Sequence, residues 1–536
     1  MECGGQTIAS VYKTFVSFIV FNLGNLLSPD NHAGSKLKKM NRIAPTLAAS
    51  TLVLAITAAV YADEKPTNDV AKPPTTPPAS ISAGLVNDWL REETSFFNPW
   101  DLGGQFRTRF EHKEHFAIAG TPGTVDFRES GADTDNTYLL LREKLHLGYA
   151  PCAWLTAFVE GRNSSSYHDD RKPNPEEDSL DLQQAWLRLG NAKDFPLTAK
   201  AGRQELIYGD ERLIGAFDWN NIGRVFDAAK LRYETDDLWV DVFSGRVVLV
   251  DDNNFNVSND YDYLSGVYAS TRTLVPKQET QLYFLSRNTS PKSPNATSGS
   301  PQAGGPSARD IYTIGLRVKS LPGAYGGWDY GAEIAGQFGR VKETVGPQAG
   351  ANLNHEAVAA TVSGGYTWTK AFGSPRVGLE YNYASGDSNP NDGKHETFDN
   401  LFPTNHKFYG FMDFFSWQNI HDLHLTSSIK PYKKLTVTAD YHLFWLADTH
   451  DNFYTVAGTR RGGVTTTPGT GYGINPTYDR YVGSEVDLVA TYAVKSYASA
   501  QVGYGHFFVG NYVKSSLSAI GSSDADFVYV QLLFAF

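Results

Sequence analysis

Basic residues recur at alternate positions in segment after segment of this sequence, a spacing suited to binding carboxylates. QFRTRFEH places Arg107 and Arg109 on one face of an extended segment, opposite Phe106, Thr108 and Phe110. The same alternation puts Arg142 and Lys144 (LLLREKLHLG), Arg162 (FVEGRN), Arg188 (AWLRLG), Lys200 (LTAKAG), Lys230 and Arg232 (AAKLRYE), and Arg317 with Lys319 (TIGLRVKS) on a common face. A guanidinium grips a carboxylate in a planar two-pronged mode and stays charged. A series of such sites, each weak, lets a polyanion pass from one to the next without being trapped. Carboxylates share the face: Glu111, Glu160 and Asp241 lie among the basic segments, and Glu333, Glu380, Asp440, Glu485 and Asp487 further on. Internal ion pairing is therefore an equally good use for these residues. His406, His442 and His506 lack the company that catalysis needs, since no GxSxG, HExxH or closely spaced His-Asp-Ser pattern accompanies them, and no enzyme is expected.

The segments that carry these residues alternate with period two. In LTVTADYHLFW, Leu435, Val437, Ala439, Tyr441, Leu443 and Trp445 share one face, while Thr436, Thr438, Asp440 and His442 share the other. The last ten residues, FVYVQLLFAF, have a wholly apolar face of Val528, Val530, Leu532, Phe534 and Phe536. An exposed apolar edge strand invites pairing with other chains, whereas a barrel closed in lipid removes the edge and gives that face a solvent it prefers. Eighteen such segments can be counted, joined alternately by short connectors (ETDD, KPYKK) and by long ones rich in Gly, Pro, Asn and Asp. The expected fold is all-β, a transmembrane antiparallel barrel of about 18 strands with short periplasmic turns and long extracellular loops. Two charges break the alternation, Glu143 and Arg203, which fall with Leu141 and Leu145 and with Ala199 and Ala201 on the lipid face. A charge there costs roughly 2–4 kcal/mol for Arg at mid-bilayer, so a bulge near Gly202 or a position near the rim is expected.

Composition agrees with strands: 29 Tyr, 31 Phe and 49 Gly in 536 residues, and no apolar run of about 20 beyond the N-terminal region. The two cysteines, Cys3 and Cys152, support no disulfide framework. A net charge of −11 argues against nucleic acid as a partner. Residues 1–62 read as an N-terminal extension plus a signal peptide whose start is Met40, with Arg42, the apolar run from Ala44 to Ala59 and a cleavage site after Ala62. Residues 63–97 read as a Pro-rich periplasmic linker and a short helix with Leu85, Trp89 and Leu90 on one side, and 98–536 as the barrel.

GRQELIYGDERLIGAFDWNNIGRVFD (202–227) and YASGDSNPNDGKHETFDNLFPTNHKFYGFMDFFSWQN (383–419) resemble the alginate export family of outer-membrane proteins. The likeness continues through DYHLFWLAD (440–448), VGSEVDLVATY (482–492) and the C-terminal strand. The resemblance implies an eighteen-stranded porin-like barrel in the cell outer membrane, with an arginine-rich constriction that lets an acidic polysaccharide leave the cell. Its first block carries Arg203, Asp210, Glu211, Arg212, Asp218, Trp219, Arg224 and Asp227, and its second Asp387, Asp392, Phe402, Pro403, His406 and Asp413. Residues 218–227 read as a loop folding into the pore mouth. SGDSNPNDG has a calcium-like run of Asp and Asn, at Asp387 and Asp392, but lacks the closing Glu of a twelve-residue loop, so no metal or other cofactor is expected. The expected substrate contacts are Arg107, Arg109, Arg142, Lys144, Arg162, Arg188, Arg203, Lys230, Arg232 and Arg317. Expected partners are an acidic polysaccharide, outer-membrane lipid, the barrel-insertion machinery, which Phe536 would address, and a periplasmic export scaffold. A general or small-anion and carbohydrate porin is the alternative.

Overall fold

A chain whose side chains alternate apolar and polar over many segments satisfies both faces only if the segments form one sheet with lipid outside and polar groups inside. The computed structural model describes residues 84–116, 125–130, 133–172, 174–251, 254–290, 308–343, 348–462 and 467–536; the leader and the Pro-rich part of the linker lie outside these. In chain order the strands are β1 (Trp100–Glu114), β2 (Asn136–Cys152), β3 (Leu155–Tyr167), β4 (Asp178–Leu189), β5 (Leu197–Gln204), β6 (Phe226–Glu234), β7 (Leu238–Leu249), β8 (Val257–Thr271), β9 (Gln278–Thr289), β10 (Arg309–Ser320), β11 (Trp328–Lys342), β12 (Asn352–Thr367), β13 (Arg376–Ala384), β14 (Lys394–His395), β15 (Ile420–Tyr432), β16 (Leu435–Leu446), β17 (Tyr481–Lys495), β18 (Ala498–Val509) and β19 (Ala525–Ala535). Each pairs antiparallel with the next, except that the two-residue β14 lies parallel on β12 and β13 pairs directly with β15. The wall therefore has eighteen strands, and β19 closes it on β1 from Gln105↔Ala535 to Glu114↔Asp526.

Outward positions are exposed and apolar, as with Leu145, Leu187, Ile334, Val362 and Leu532, whereas charged groups such as Arg109, Arg142 and Glu485 are buried inside. That inversion of the soluble rule suits a wall solvated by lipid. The lumen is filled on the long-loop side by an aromatic core in which Phe127 packs on Phe414 and Phe415 on Phe444, with ring centres 4.5 and 3.9 Å apart. Helix α1 (Leu85–Glu93) lies against the start of β1, where Asn87 donates to Asp101 Oδ1 at 2.6 Å and accepts from the Leu102 N–H at 2.7 Å. Asn87 is the buried residue of this helix, and Trp89 is exposed.

Both aberrant charges keep the outward placement that alternation gives them. β1 and β2 pair without a register break from Trp100↔Tyr149 to Lys113↔Asn136, so Glu143 faces outward, opposite Asn163 of β3. β5 pairs with β4 and β6 without a register shift, so no bulge at Gly202 turns Arg203 inward. Arg203 is therefore not a lumen residue. It stands one residue from the long-loop end of β5, near the rim, and its guanidinium grips Asp227 across β5 and β6 at 2.9 and 3.1 Å.

Candidate functional site

β5, with 8 residues, is the shortest strand of the wall and β6, like β13, has 9; the loop between β5 and β6, residues 205–225, turns into the lumen and meets the basic face of β1–β3. Arg107 donates to the Asp218 and Asn220 carbonyls at 2.7 and 3.1 Å, and Arg142 to the Asp218 carbonyl at 3.0 Å and to its carboxylate at 2.9 Å. Lys144 stands 3.6 Å from the same carboxylate and 3.9 Å from Glu205. Arg109 donates to the Trp219 carbonyl at 2.7 Å, lies 3.7 Å over its ring and pairs with Glu111 at 2.6 Å. Arg162 donates to the Ile222 carbonyl at 2.6 Å and pairs with Asp178. Buried carbonyls of a non-helical, non-sheet segment need donors, and guanidinium forks supply several each. The basic face thus holds a loop.

A second inward loop, residues 385–419 between β13 and β15, joins the first. The Gly215 N–H donates to the Phe402 carbonyl and the Phe402 N–H to the Leu213 carbonyl, both at 2.8 Å, and the Arg224 guanidinium donates to the carbonyls of Phe402 (2.5 Å), Pro403 (2.9 Å) and Gly215 (3.0 Å). Glu211 accepts from Thr404 Oγ1 at 2.7 Å and pairs with Lys407. Trp219 stacks on His406, rings 3.9 Å apart, and His406 lies 3.1 Å from Asp413. The joined loops are tied to the far wall by Asp210 to Arg317 (2.6 Å) and Lys319 (2.7 Å), Arg212 to Glu380 (2.8 Å), Asp399 to Arg309 (2.6 Å), and the Met412 N–H to Glu485 (2.9 Å). Together they make a septum across the lumen, anchored on β1–β3, β10, β13 and β17.

Electrostatics within the septum follow from these anchors. Burial alone would raise the Asp210 carboxyl, but Arg317 and Lys319 outweigh it and hold it down at about 2. Asp218 is likewise held well below the carboxylate range, burial being outweighed by Arg142, Lys144 and Arg107. Its side chain nevertheless keeps 64% of its surface open to the lumen, while those of Arg142 and Lys144 keep 1% and 4%. Glu205 behaves oppositely: burial, opposed by Lys144 but reinforced by Asp218 and Glu160, pushes it up to about 7.

The remaining expected contacts divide between two places. Arg188, Lys230 and Arg232 face the lumen below the septum, with Arg232 and Lys230 sharing Asp241 at 2.6 and 3.3 Å. Asp387 and Asp392 lie in the turn after β13, where they accept the N–H groups of Asn389 and Lys394. Burial, Asp451, Glu396 and Asp392 push Asp387 up to about 7, and among the described residues no three His, Cys, Asp or Glu side chains gather as a metal site. Asp227 faces outward with Arg203. Along the wall from β1, beyond β19 and β18, β15–β17 carry Asp422, Asp440, Glu485 and Asp487 with the stacked pair His424 and His442, rings 3.8 Å apart. Sequence reading missed Arg287, which pairs with Asp262 at 2.7 Å and donates to the Leu401 carbonyl; its alternation with Tyr283 and Leu285 was the available signal. It also missed Asn221, wholly buried and donating to the Leu141, Ser165 and Glu176 carbonyls, for which no sequence signal exists.

The fold recurs in solved porins. Pseudomonas aeruginosa OpdQ and Acinetobacter baumannii OccAB1 each superpose with a TM-score of 0.50 at 12% identity, covering 82% of this chain and 98% and 97% of theirs. No curated protein matches the sequence. The alginate export family matches residues 98–523, which takes in the whole wall except its closing strand and both loops of the septum. The chain belongs to the alginate export family of outer-membrane β-barrels.

Proposed function

We propose that the barrel passes an acidic polysaccharide, an alginate-like polyuronate, across the outer membrane along its basic wall. The observation that carries this reading is the seat of Asp218. A carboxylate largely open to the lumen is held there by Arg142 and Lys144, both almost fully buried and therefore fixed in place. A wall that seats one carboxylate in this way suits the carboxylates of a uronate chain. The matched family is one of export, and the reading assigns no catalytic step.

Reversal potentials in planar bilayers test it. Anion selectivity and concentration-dependent block by oligouronates are expected; a cation-selective pore indifferent to oligouronates would overturn the reading. The septum favours a second reading, a porin for small anions or short carbohydrates, because both loops cross the lumen and are tied to opposite walls. That reading expects similar conductance with block independent of oligomer length.

A further inference from the structure

Helix α1 meets the barrel through its polar side. On the seam side, β1 is paired with the end of the chain only as far as Gly104, whose N–H and carbonyl bond to the Phe536 carbonyl and N–H at 3.0 Å each. β1 runs on to Trp100, and the next groups on that edge, the Leu102 N–H and the Trp100 carbonyl, have no strand beside them among the described residues. The helix takes both: Asn87 Oδ1 accepts the Leu102 N–H at 2.7 Å, and the Arg91 guanidinium donates to the Trp100 carbonyl at 2.5 Å. An open edge is a template for pairing with another chain, and α1 covers this one.

Asn87 and Arg91 are four residues apart and share one side of the helix. At about 100° per residue, the centre of Leu85, Val86, Trp89 and Leu90 lies about 150° round from them. A helix on a water-soluble body docks by its apolar stripe. Here the docked side is an amide and a guanidinium, and Trp89 is left 60% exposed. The 3-10 turn that follows, Ser95–Phe97, leaves Phe96 65% exposed in the same way. The Phe96 ring lies 6.5 Å from Trp100, and the Trp100 ring 4.4 Å from Tyr149. Trp100 pairs with Tyr149, which leaves β2 on the same outward face as the exposed Leu145; with Trp154 and Phe195 they form an aromatic belt at the short-turn end of the wall. The exposed rings of the helix and turn therefore continue a surface that faces lipid. With three carboxylates, Asp88, Glu92 and Glu93, against one guanidinium, the helix has nothing to attract anionic headgroups, and only its apolar side suits a membrane.

We infer that α1 and the turn after it are an interfacial anchor: they close the open edge at the foot of the seam and lie in the periplasmic leaflet, with Leu85, Trp89 and Phe96 sunk about 5–10 Å into the boundary between headgroups and acyl chains. The test uses the full chain in phosphatidylcholine vesicles, carrying Cys3→Ser and Cys152→Ser, with a nitroxide attached in turn at Leu85→Cys, Trp89→Cys, Phe96→Cys and Asp88→Cys. None of these substitutions touches Asn87 or Arg91. At the first three positions the label relaxes more with oxygen, which concentrates in lipid, than with a water-soluble nickel chelate; at Asp88→Cys the order is reversed, and high salt changes neither. In the unlabelled chain, brominated phosphatidylcholine quenches more of the tryptophan emission of wild type than of Trp89→Phe. A nickel chelate that reaches all four positions alike overturns the anchor by placing the helix in water. Labels shielded from both reagents overturn it in favour of a protein partner or a second copy. Quenching equal in wild type and Trp89→Phe overturns it as well.

Discussion

Glu205 gives the septum a pH dependence of calculable sign. Its side chain is 13% exposed, 3.9 Å from Lys144, and its carboxyl rises from an ordinary 4.5 to about 7 through burial, with Asp218 and Glu160 adding and Lys144 opposing. The packed loop therefore binds the proton more tightly than a loop released into water. Packing is unaffected by this group below about pH 4.5, weakens as pH rises from there to about 7, and is flat above. The difference corresponds to about 3 kcal/mol. Glu205→Gln removes the dependence, because the amide carries no charge at any pH. Amide hydrogen exchange across residues 206–222, corrected for intrinsic rates, reads the result. Wild-type protection falls by up to about 100-fold between pH 5 and pH 8, while the variant stays level and exceeds wild type at pH 8. Equal slopes in the two proteins, or a level wild-type profile, would refute the argument that a buried carboxyl at the root of the loop controls its packing.

Three further outcomes follow from the same contacts. Arg142→Met removes the donor to the Asp218 carbonyl and carboxylate; since that carboxylate is largely open to the lumen, the cost is about 1–2 kcal/mol, seen as higher and noisier single-channel conductance, and a quiet channel of unchanged conductance contradicts it. Asp210 is depressed to about 2, so its tether to Arg317 and Lys319 is complete above about pH 4 and lost as pH falls towards 2; Asp210→Asn has the acid behaviour at neutral pH, checked by exchange at residues 208–215. Arg203→Ala leaves Asp227 near the rim with the Ser258 hydroxyl but without its guanidinium and lowers barrel stability in urea by about 1–2 kcal/mol, whereas adding Asp227→Ala recovers part of the loss; additive losses in the double-mutant cycle would show that the outward pair is not coupled.

The wall was legible in the sequence because one physical condition, lipid outside and polar lumen inside, acts on every strand and leaves a period of two. Arg107, Arg142, Lys200 and Arg317 could be assigned an inward face from that period alone. What they do there could not be read, because their partners are carbonyls and carboxylates of loops distant in the chain: Arg107 meets Asp218, and Arg317 meets Asp210. Alternation reports which face a side chain leaves the strand by, and carries nothing about which loop returns to it. Arg203 shows the converse case. Alternation gives it an outward face and leaves a bulge or a place near the rim as the ways to spare it from lipid; it stands one residue from the long-loop end of β5, where Asp227 at the cross-strand position neutralises it.

The arginine-rich region on β1–β3 spends its charge on a loop of the same chain. On β1–β3 the guanidinium groups are buried and bonded to loop carbonyls or carboxylates, so any anion reaching that level competes with groups already in place. Asp218 is the competitor most exposed to it, with 64% of its side chain open against 1% for the Arg142 side chain that binds it. An incoming carboxylate of the same geometry replaces that contact by one of nearly equal strength, so the exchange involves little change in free energy beyond release of the loop. On the proposed reading two features then cooperate: a carboxylate contact open to the lumen, and a wall whose donors are buried and fixed. A ligand that supplies carboxylates in succession is, on that reading, the one best suited to such an exchange.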